Sequence, residues 1–359
     1  MTPKYEIIHQ TLLRQIETGA LPPETQLPDE NALAAEYGVS LITVRRAMSE
    51  LSRDGAIRRV RDRGSFVMKR APNAKSPDEE KVIAFLLNHD NNAAVSITRI
   101  IAGVQEVLSQ RGYRLLVEWN VLSGPIESAT IDRMISNRVD GFLIYPFDPD
   151  ADISSYARIE ACGLPYVLLD RYPHEHFCPY VGSDNLAGGR AACKALLSRG
   201  HKKLAVLGNL TFLSSEQERF AGFLQAAWEA GSGVSVCRPD PAKREQLCET
   251  LAAEGVTGLF CVSDRVAARA IQTLTAHGFS VPEDVSVIGF DDCYFDPSVN
   301  LQFASVRQDF RGIGCAGAQS LLEMIQQPSG FVTKRLLGVE LIARESSLAT
   351  PPKEKQNER

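Results

Sequence analysis

Cysteine is missing from the first 161 residues of this 359-residue chain; all eight cysteines lie between Cys162 and Cys315. None forms a C-x-x-C pair, and none stands at zinc-ligand spacing with a histidine. That excludes a disulfide scaffold or zinc module and leaves reduced core cysteines. Long apolar runs are also missing. No stretch is long enough to span a bilayer, and "MTPKYEIIHQTLLRQIETGAL" lacks the apolar centre of a signal peptide. A cytoplasmic protein with no membrane partner is therefore expected. The sequence contains no phosphate loop, nucleophile elbow or metal-ligand cluster, so no cofactor, no metal and no enzymatic activity are expected. Positive charge is in short supply as well: 39 Lys and Arg stand against 44 Asp and Glu, for a net charge of −5. Taken whole, that balance argues against nucleic acid.

The distribution of charge argues otherwise. Residues 1–40 hold two basic side chains, Lys4 and Arg14, against six acids, whereas residues 41–70 hold nine against three. One thirty-residue window is a basic island in an acidic chain, the footprint expected of a local nucleic-acid contact. The remainder is ordinary for a folded protein, 44% apolar and 23% charged. At about 150 residues per domain the length suggests two or three domains.

Around the island the pattern is helix, helix, helix, hairpin. Ile7, Ile8, Leu12 and Ile16 recur at near-helical spacing over residues 4–19. "LPPETQLPDE" follows, an extended connector stiffened by three prolines. Asp29 is placed to cap a helix beginning near Glu30, and Gly38 to end it in the left-handed conformation. Ser40 caps a further helix from Leu41 to Asp54, with Val44, Ala47, Met48 and Leu51 facing inward. "AIRRVRDRGSFV" reads as two short strands about a tip at "RDRG". Such a unit sets the nose of its last helix in the major groove. Arg45 and Arg46 can fork onto guanine or clamp a phosphate, and Thr43 can touch a thymine methyl or a phosphate. Arg61 and Arg63 flank a tip kept slim by Gly64, which suits a minor groove or a run of phosphates. A solvated helix face and a charged edge hairpin would carry arginines too. Seven arginines in the nineteen residues 45–63 outweigh that reading.

"LPDENALAAEYGVSLITVRRAMSELSRDGAIRRVRDRGSFV" resembles the winged-helix DNA-binding domain of the GntR family of bacterial regulators, over residues 4–68. The resemblance implies that Ser40, Thr43, Arg45, Arg46 and the wing around Gly64 contact operator DNA. Three positions depart from the family pattern. Asp29 stands for a serine, Asn31 for a common arginine, and Leu41 for the arginine that usually follows Gly-Val-Ser, so the operator sequence does not carry over. Leu41 is expected to face the DNA and to meet a thymine methyl or no base at all.

"RAPNAKSPDEEK" then reads as a linker. Beyond it, β-rich apolar runs ("KVIAFLL", "RLLVEW", "GFLIYP", "YVLLD", "KLAVLGN", "VSVCRP", "GLFCVSD", "VSVIGFDD") alternate with helical stretches at 97–111, 126–137, 186–199, 215–230 and 264–277. Alternation of this kind means a doubly wound α/β architecture, and eight strands suggest two lobes. The expected organisation is a winged helix-turn-helix over 1–69, a linker over 70–80, a two-lobed α/β domain over 81–348 and a disordered tail over 349–359.

"YVGSDNLAGGRAACKALLSRGHKKLAVLGN", "ERFAGF", "VPEDVSVIGFDD", "SVRQDFRGIG" and "VELIARESS" resemble, in order, the effector domain of LacI/GalR-type repressors, which is similar to periplasmic sugar-binding proteins. The match implies ligand contacts at Arg219, Asp291 and the pair Ser263 and Asp264, although an amide is common where Ser263 stands. A GntR-type reader joined to a LacI-type sensor is similar to the arabinose-responsive repressors. Independently, ligands of doubly wound sheets bind beyond the carboxyl ends of strands. That rule points to His89 and Asp90, Phe147 and Asp148, Asp170 and Arg171, Ser263 and Asp264, and Asp291 and Asp292, with Arg219 on a helix. Carboxylates and a guanidinium fork suit vicinal hydroxyls, and Phe147 or Tyr145 could cover the C–H face of a sugar. Asp184 and Asn185 read as helix caps, Asp292 as a loop tether and Asp264 equally as a cap; His174, His176, His201 and His277 read as surface residues.

The function expected is a ligand-responsive transcriptional regulator, a homodimeric repressor of a carbohydrate operon released from operator DNA by a small-molecule effector, a sugar. The alternatives are a regulator whose ligand promotes DNA binding, and a sugar- or nucleoside-acting enzyme using Asp170 and Asp291 as acid and base.

Overall fold

The computed structural model describes the chain except residues 1–2, 18–19, 54–55, 61–63, 69–79, 89–93, 121–125, 127, 147–149, 175, 209–213, 238–244, 294–302, 328–333, 346 and 352–359. Three helices come first: α1 (Lys4–Glu17), α2 (Glu30–Tyr37) and α3 (Leu41–Arg53). Strands β1 (Ile57–Val60) and β2 (Gly64–Val67) then pair antiparallel, Ile57 opposite Val67 and Val60 opposite Gly64. Ile8, Leu12, Leu33, Val44, Met48 and Leu51 form the core of this unit. Its caps are as the residue types demand. The Asp29 carboxylate accepts from the backbone N–H groups of Asn31 and Ala32, and Gly38 ends α2 at φ 60°. The proline-stiffened connector lies along the hairpin: Leu27 N–H donates to Ser65 O, and Val67 N–H to Thr25 O.

Two six-stranded sheets follow. The first runs β13-β7-β6-β5-β3-β4, all parallel, from β3 (Lys81–Asn88), β4 (Tyr113–Asn120), β5 (Gly141–Tyr145), β6 (Tyr166–Leu169), β7 (Tyr180–Ser183) and β13 (Lys334–Leu337). The second runs β14-β12-β11-β10-β8-β9, from β8 (Leu204–Leu207), β9 (Val234–Cys237), β10 (Gly258–Cys261), β11 (Ser286–Asp291), β12 (Ala304–Arg307) and β14 (Glu340–Ile342). Only β14 is antiparallel. Helices α4 (Ala94–Gln110) and α11 (Phe310–Gln326) cover one face of the first sheet; α5 (Ser128–Ser136) and α6 (Ile153–Ala161) cover the other. Helices α7 (Asn185–Ser198) and α8 (Ser214–Glu229) cover one face of the second; α9 (Glu245–Glu254) and α10 (Asp264–Ala276) cover the other. Burial on both faces explains why β5, β6, β8 and β10 are unbroken apolar runs.

The chain crosses between lobes three times: from β7 to α7, from β12 to α11, and from β13 to β14. In the second lobe, α7 and α8 cross so closely that a Cβ at Gly189 would strike the carbonyl oxygen of Arg219, and one at Gly222 that of Leu186. This crossing fixes the backbone of Arg219.

Two sequence expectations are corrected here. His201 is buried, not on the surface; its ring bonds Thr257 Oγ1 and Ala349 O, both at 2.9 Å. Ala349, placed in the tail, is held in the second lobe by that bond and by donating its N–H to Ser286 Oγ at 3.0 Å. Strands β7, β12, β13 and β14 were not among the eight apolar runs; their residues, YVGS, ASVR, KRLL and ELI, hold no more than two apolar side chains in succession.

Candidate functional site

The strand ends of both sheets meet in a cleft. At the end of β6, Asp170 is buried at φ 69°, a left-handed conformation that turns the chain out of the sheet. Tyr180 donates its hydroxyl to Asp170 O at 3.1 Å, and Tyr145 donates to Asp170 Oδ2 at 3.2 Å. Arg171 Nε lies 3.4 Å from the same Oδ2, and its Nη1 donates to Pro146 O at 3.3 Å. Burial, then the Asp170 charge, holds the Tyr145 phenol well above its usual range, so it stays a donor.

The other lobe presents Arg219, 4% exposed, from α8. Its Nε donates to Asn185 Oδ1 at 2.9 Å, and its Nη1 to Val262 O at 2.8 Å. The guanidinium carbon lies 3.9 Å from the centre of the Phe290 ring, and Nη1 lies 3.3 Å from Asp291 Oδ1. Asp291, at φ 119°, also accepts from Gln308 Nε2 at 2.7 Å. Burial pushes its carboxyl up to about 6; the Asp170 charge adds to this, and Arg219 and Gln308 oppose it. Glu216, one turn before Arg219, is likewise raised by burial. Two cleft acceptors, Asp170 Oδ1 and Gln308 Oε1, are buried without a hydrogen-bond partner among the described residues.

The structure thus brings Asp170, Arg171, Arg219 and Asp291 together. Ser263 and Asp264 have structural partners of their own. Ser263 Oγ caps α10, accepting from Val266 N–H at 3.4 Å. Asp264 Oδ2 accepts from Cys293 N–H at 3.0 Å, and Oδ1 from Ser305 Oγ at 2.5 Å. His89 and Phe147 lie outside the described residues, as do Asp90 and Asp148. Asp292 is a tether, accepting from Arg307 Nε and Arg344 Nη2, both at 2.8 Å. Sequence reasoning missed Gln308 and Glu216 and took Asn185 for a helix cap; the cap is Asp184, and Asn185 joins α7 to Arg219. A polar residue just past a strand end, the signal already used, would have found Gln308.

The first turns of α8 are also tied to the opposite lobe. Tyr172 N–H donates to Ser214 Oγ at 3.0 Å, and the Tyr172 hydroxyl to Glu218 Oε1 at 2.6 Å. The His174 ring lies between Asp150 Oδ2, at 2.7 Å, and Gln217 Oε1, at 2.6 Å.

A second candidate surface lies on the N-terminal unit. Ser40 Oγ accepts from Thr43 N–H at 3.3 Å and shares a 2.9 Å hydroxyl bond with Thr43 Oγ1. Arg45 donates from Nε to Glu30 Oε2 at 2.8 Å, and Arg59 reaches Glu30 Oε1 at 3.5 Å. Arg46 stacks 3.9 Å from the Tyr5 ring centre and donates to its hydroxyl at 3.3 Å. Ser40, Thr43, Arg45, Arg46 and Gly64 all belong to this unit, with Gly64 at φ 96° opening β2; Arg61 and Arg63 lie outside the described residues. Glu30 and Tyr5, which hold the arginines, were not anticipated.

Among the described residues, no helix is long and apolar enough to cross a membrane, and no cluster of three or more His, Cys, Asp or Glu could hold a metal ion.

Residues 4–67 match the profile of bacterial regulatory proteins of the gntR family, and residues 193–347 that of a periplasmic binding protein-like domain. The chain is similar to the arabinose metabolism transcriptional repressor of Geobacillus stearothermophilus, 26% identical over 96% of this chain and 98% of the relative. Among solved structures it is similar to a complex of the transcriptional regulator CelR with cellobiose, at TM-score 0.65 and 24% identity, covering 89% of this chain and 100% of that one. A LacI family regulator from Enterococcus faecalis with bound ribose has TM-score 0.63 and 24% identity, covering 75% of this chain and 99% of that one.

Proposed function

We propose that this chain, a gntR-type DNA-binding domain joined to a periplasmic-binding-protein-like domain, is a repressor of a carbohydrate-utilisation operon that releases its operator when a neutral sugar fills the cleft. The observation that carries this reading is the pair of buried Arg219 and half-buried Asp291 facing Asp170 and Arg171 across two lobes. Each guanidinium is already matched to a carboxylate, and Glu216 adds a further acid nearby. Among the described residues, such a site offers no surplus positive charge to a carboxylate or phosphate ligand. Its two unfilled buried acceptors, Asp170 Oδ1 and Gln308 Oε1, call for a ligand rich in O–H donors. A polyol meets both demands, and the relative named for arabinose metabolism supports a sugar. The effector contacts are Asp170, Arg171, Arg219, Asp291 and Gln308; Ser263 and Asp264 hold the loop beside them.

Sugar binding draws the lobes together and changes the ties between the Tyr172–His174 segment and α8. In a homodimer that change resets the spacing of two DNA heads. The protein acts in the cytoplasm and turns over nothing. The test is fluorescence anisotropy of labelled DNA from upstream of its own operon, titrated with the full chain with and without neutral pentoses and hexoses, beginning with arabinose. Salt-dependent binding that one sugar weakens is the expected result. Turnover of any of these sugars by the pure protein would favour an enzyme instead.

A further inference from the structure

The outward face of α3 carries an inference that rests on the DNA-binding reading above. Val44, Ala47, Met48 and Leu51 are buried, which fixes the inward side of the helix. At 100° per residue, Ile42 then stands almost opposite that side, with Arg45, Arg46 and Ser49 beside it. The exposures agree: Ile42 is 78% exposed and Leu41 36%. The most prominent side chain at the nose of the reading helix is thus a bare isoleucine.

Several polar groups around it already have partners. The Thr43 hydroxyl is bonded to Ser40, Arg45 Nε to Glu30, and Arg46 lies over Tyr5. Residues 41–44, Leu-Ile-Thr-Val, include no charge. The part of the helix that enters a major groove first therefore offers apolar surface where base edges offer mostly hydrogen-bonding atoms. One base-edge group in that groove is complementary to it, the C5 methyl of thymine. We propose that Ile42, flanked by Leu41, reads thymine methyl groups, and that these two residues set operator specificity at positions where a polar helix nose would read guanine.

The test uses the full chain and an operator obtained by selection from random duplex DNA. Each thymine of the selected site is replaced in turn by deoxyuridine, which removes the methyl and keeps the pairing. For the unaltered protein, one or two positions in each half-site should lose roughly fourfold in affinity, the worth of one buried methyl. Ile42→Ala should bind the thymine site about as weakly and be indifferent to deoxyuridine at one of those positions. The exposed side chain can be removed without disturbing the core, and Val44 and Met48 remain to hold the helix. Deoxyuridine that costs nothing at any position would overturn the proposal, as would an Ile42→Ala protein with undiminished methyl sensitivity. Failure to enrich any sequence would sink the regulator reading itself, and the methyl reading with it.

Discussion

Arg219 is the side chain on which the cleft converges: it bonds Asn185 and Val262, pairs with Asp291 and lies over Phe290. A planar fork serves several partners at once, which an ammonium cannot. Arg219→Lys should therefore keep the charge, fold, and lose at least tenfold in effector affinity by isothermal calorimetry. Asp291 makes a pH prediction. Its ordinary value is near 3.8 and the folded protein raises it to about 6. A carboxyl raised on folding costs nothing below its unfolded value. It costs progressively more stability as pH rises from about 4 to about 6, and a constant amount beyond. Sugar hydroxyls donating to the ionised carboxylate favour the charged form, so effector binding should expel a proton and tighten between pH 5 and pH 7. In Asp291→Asn, binding should be weaker and flat over that range; a slope of equal size in the variant would place the titrating group elsewhere.

At the scale of elements, the crossing of α7 on α8 explains why glycine stands at 189 and 222. Gly189→Ala should lower stability by about 2 kcal/mol by overpacking against backbone. Gly233→Ala, with open space around it, should be near neutral; denaturant midpoints decide. In the N-terminal unit, Ser40→Ala should cost about 1 kcal/mol by uncapping α3. Most of these elements were legible in the sequence. Apolar spacing marked α1, α3, α7, α8 and α10 to within a few residues, and unbroken apolar runs marked the central strands. Asp170, Arg171 and Asp291 were legible as strand-end polar residues, and Arg219 through the family resemblance. Partners distant in sequence were not. Asp264 bonds Ser305, 41 residues on, and His201 bonds Ala349, 148 residues on, so neither tie could be read from the local pattern. Ile42 was legible in principle, since the inward set of α3 places it outward; the break in the family pattern lies one residue earlier, at Leu41.

Over the whole molecule, charge is divided as the function requires, with the basic island on the DNA-binding unit and the acidic excess spread through the remainder. That division predicts DNA affinity that falls steeply with salt while effector affinity barely changes. In the function proposed above, one ligand bound between the lobes controls the grip of the heads on DNA. The most direct test is to measure operator affinity of the full chain by anisotropy against increasing concentration of a sugar that raises its melting temperature. Operator affinity should fall tenfold or more, with the midpoint at the sugar's own Kd, and the fall should be absent in Arg219→Lys at that concentration. A sugar that stabilises the protein yet leaves operator affinity unchanged, or raises it, would contradict the proposed function.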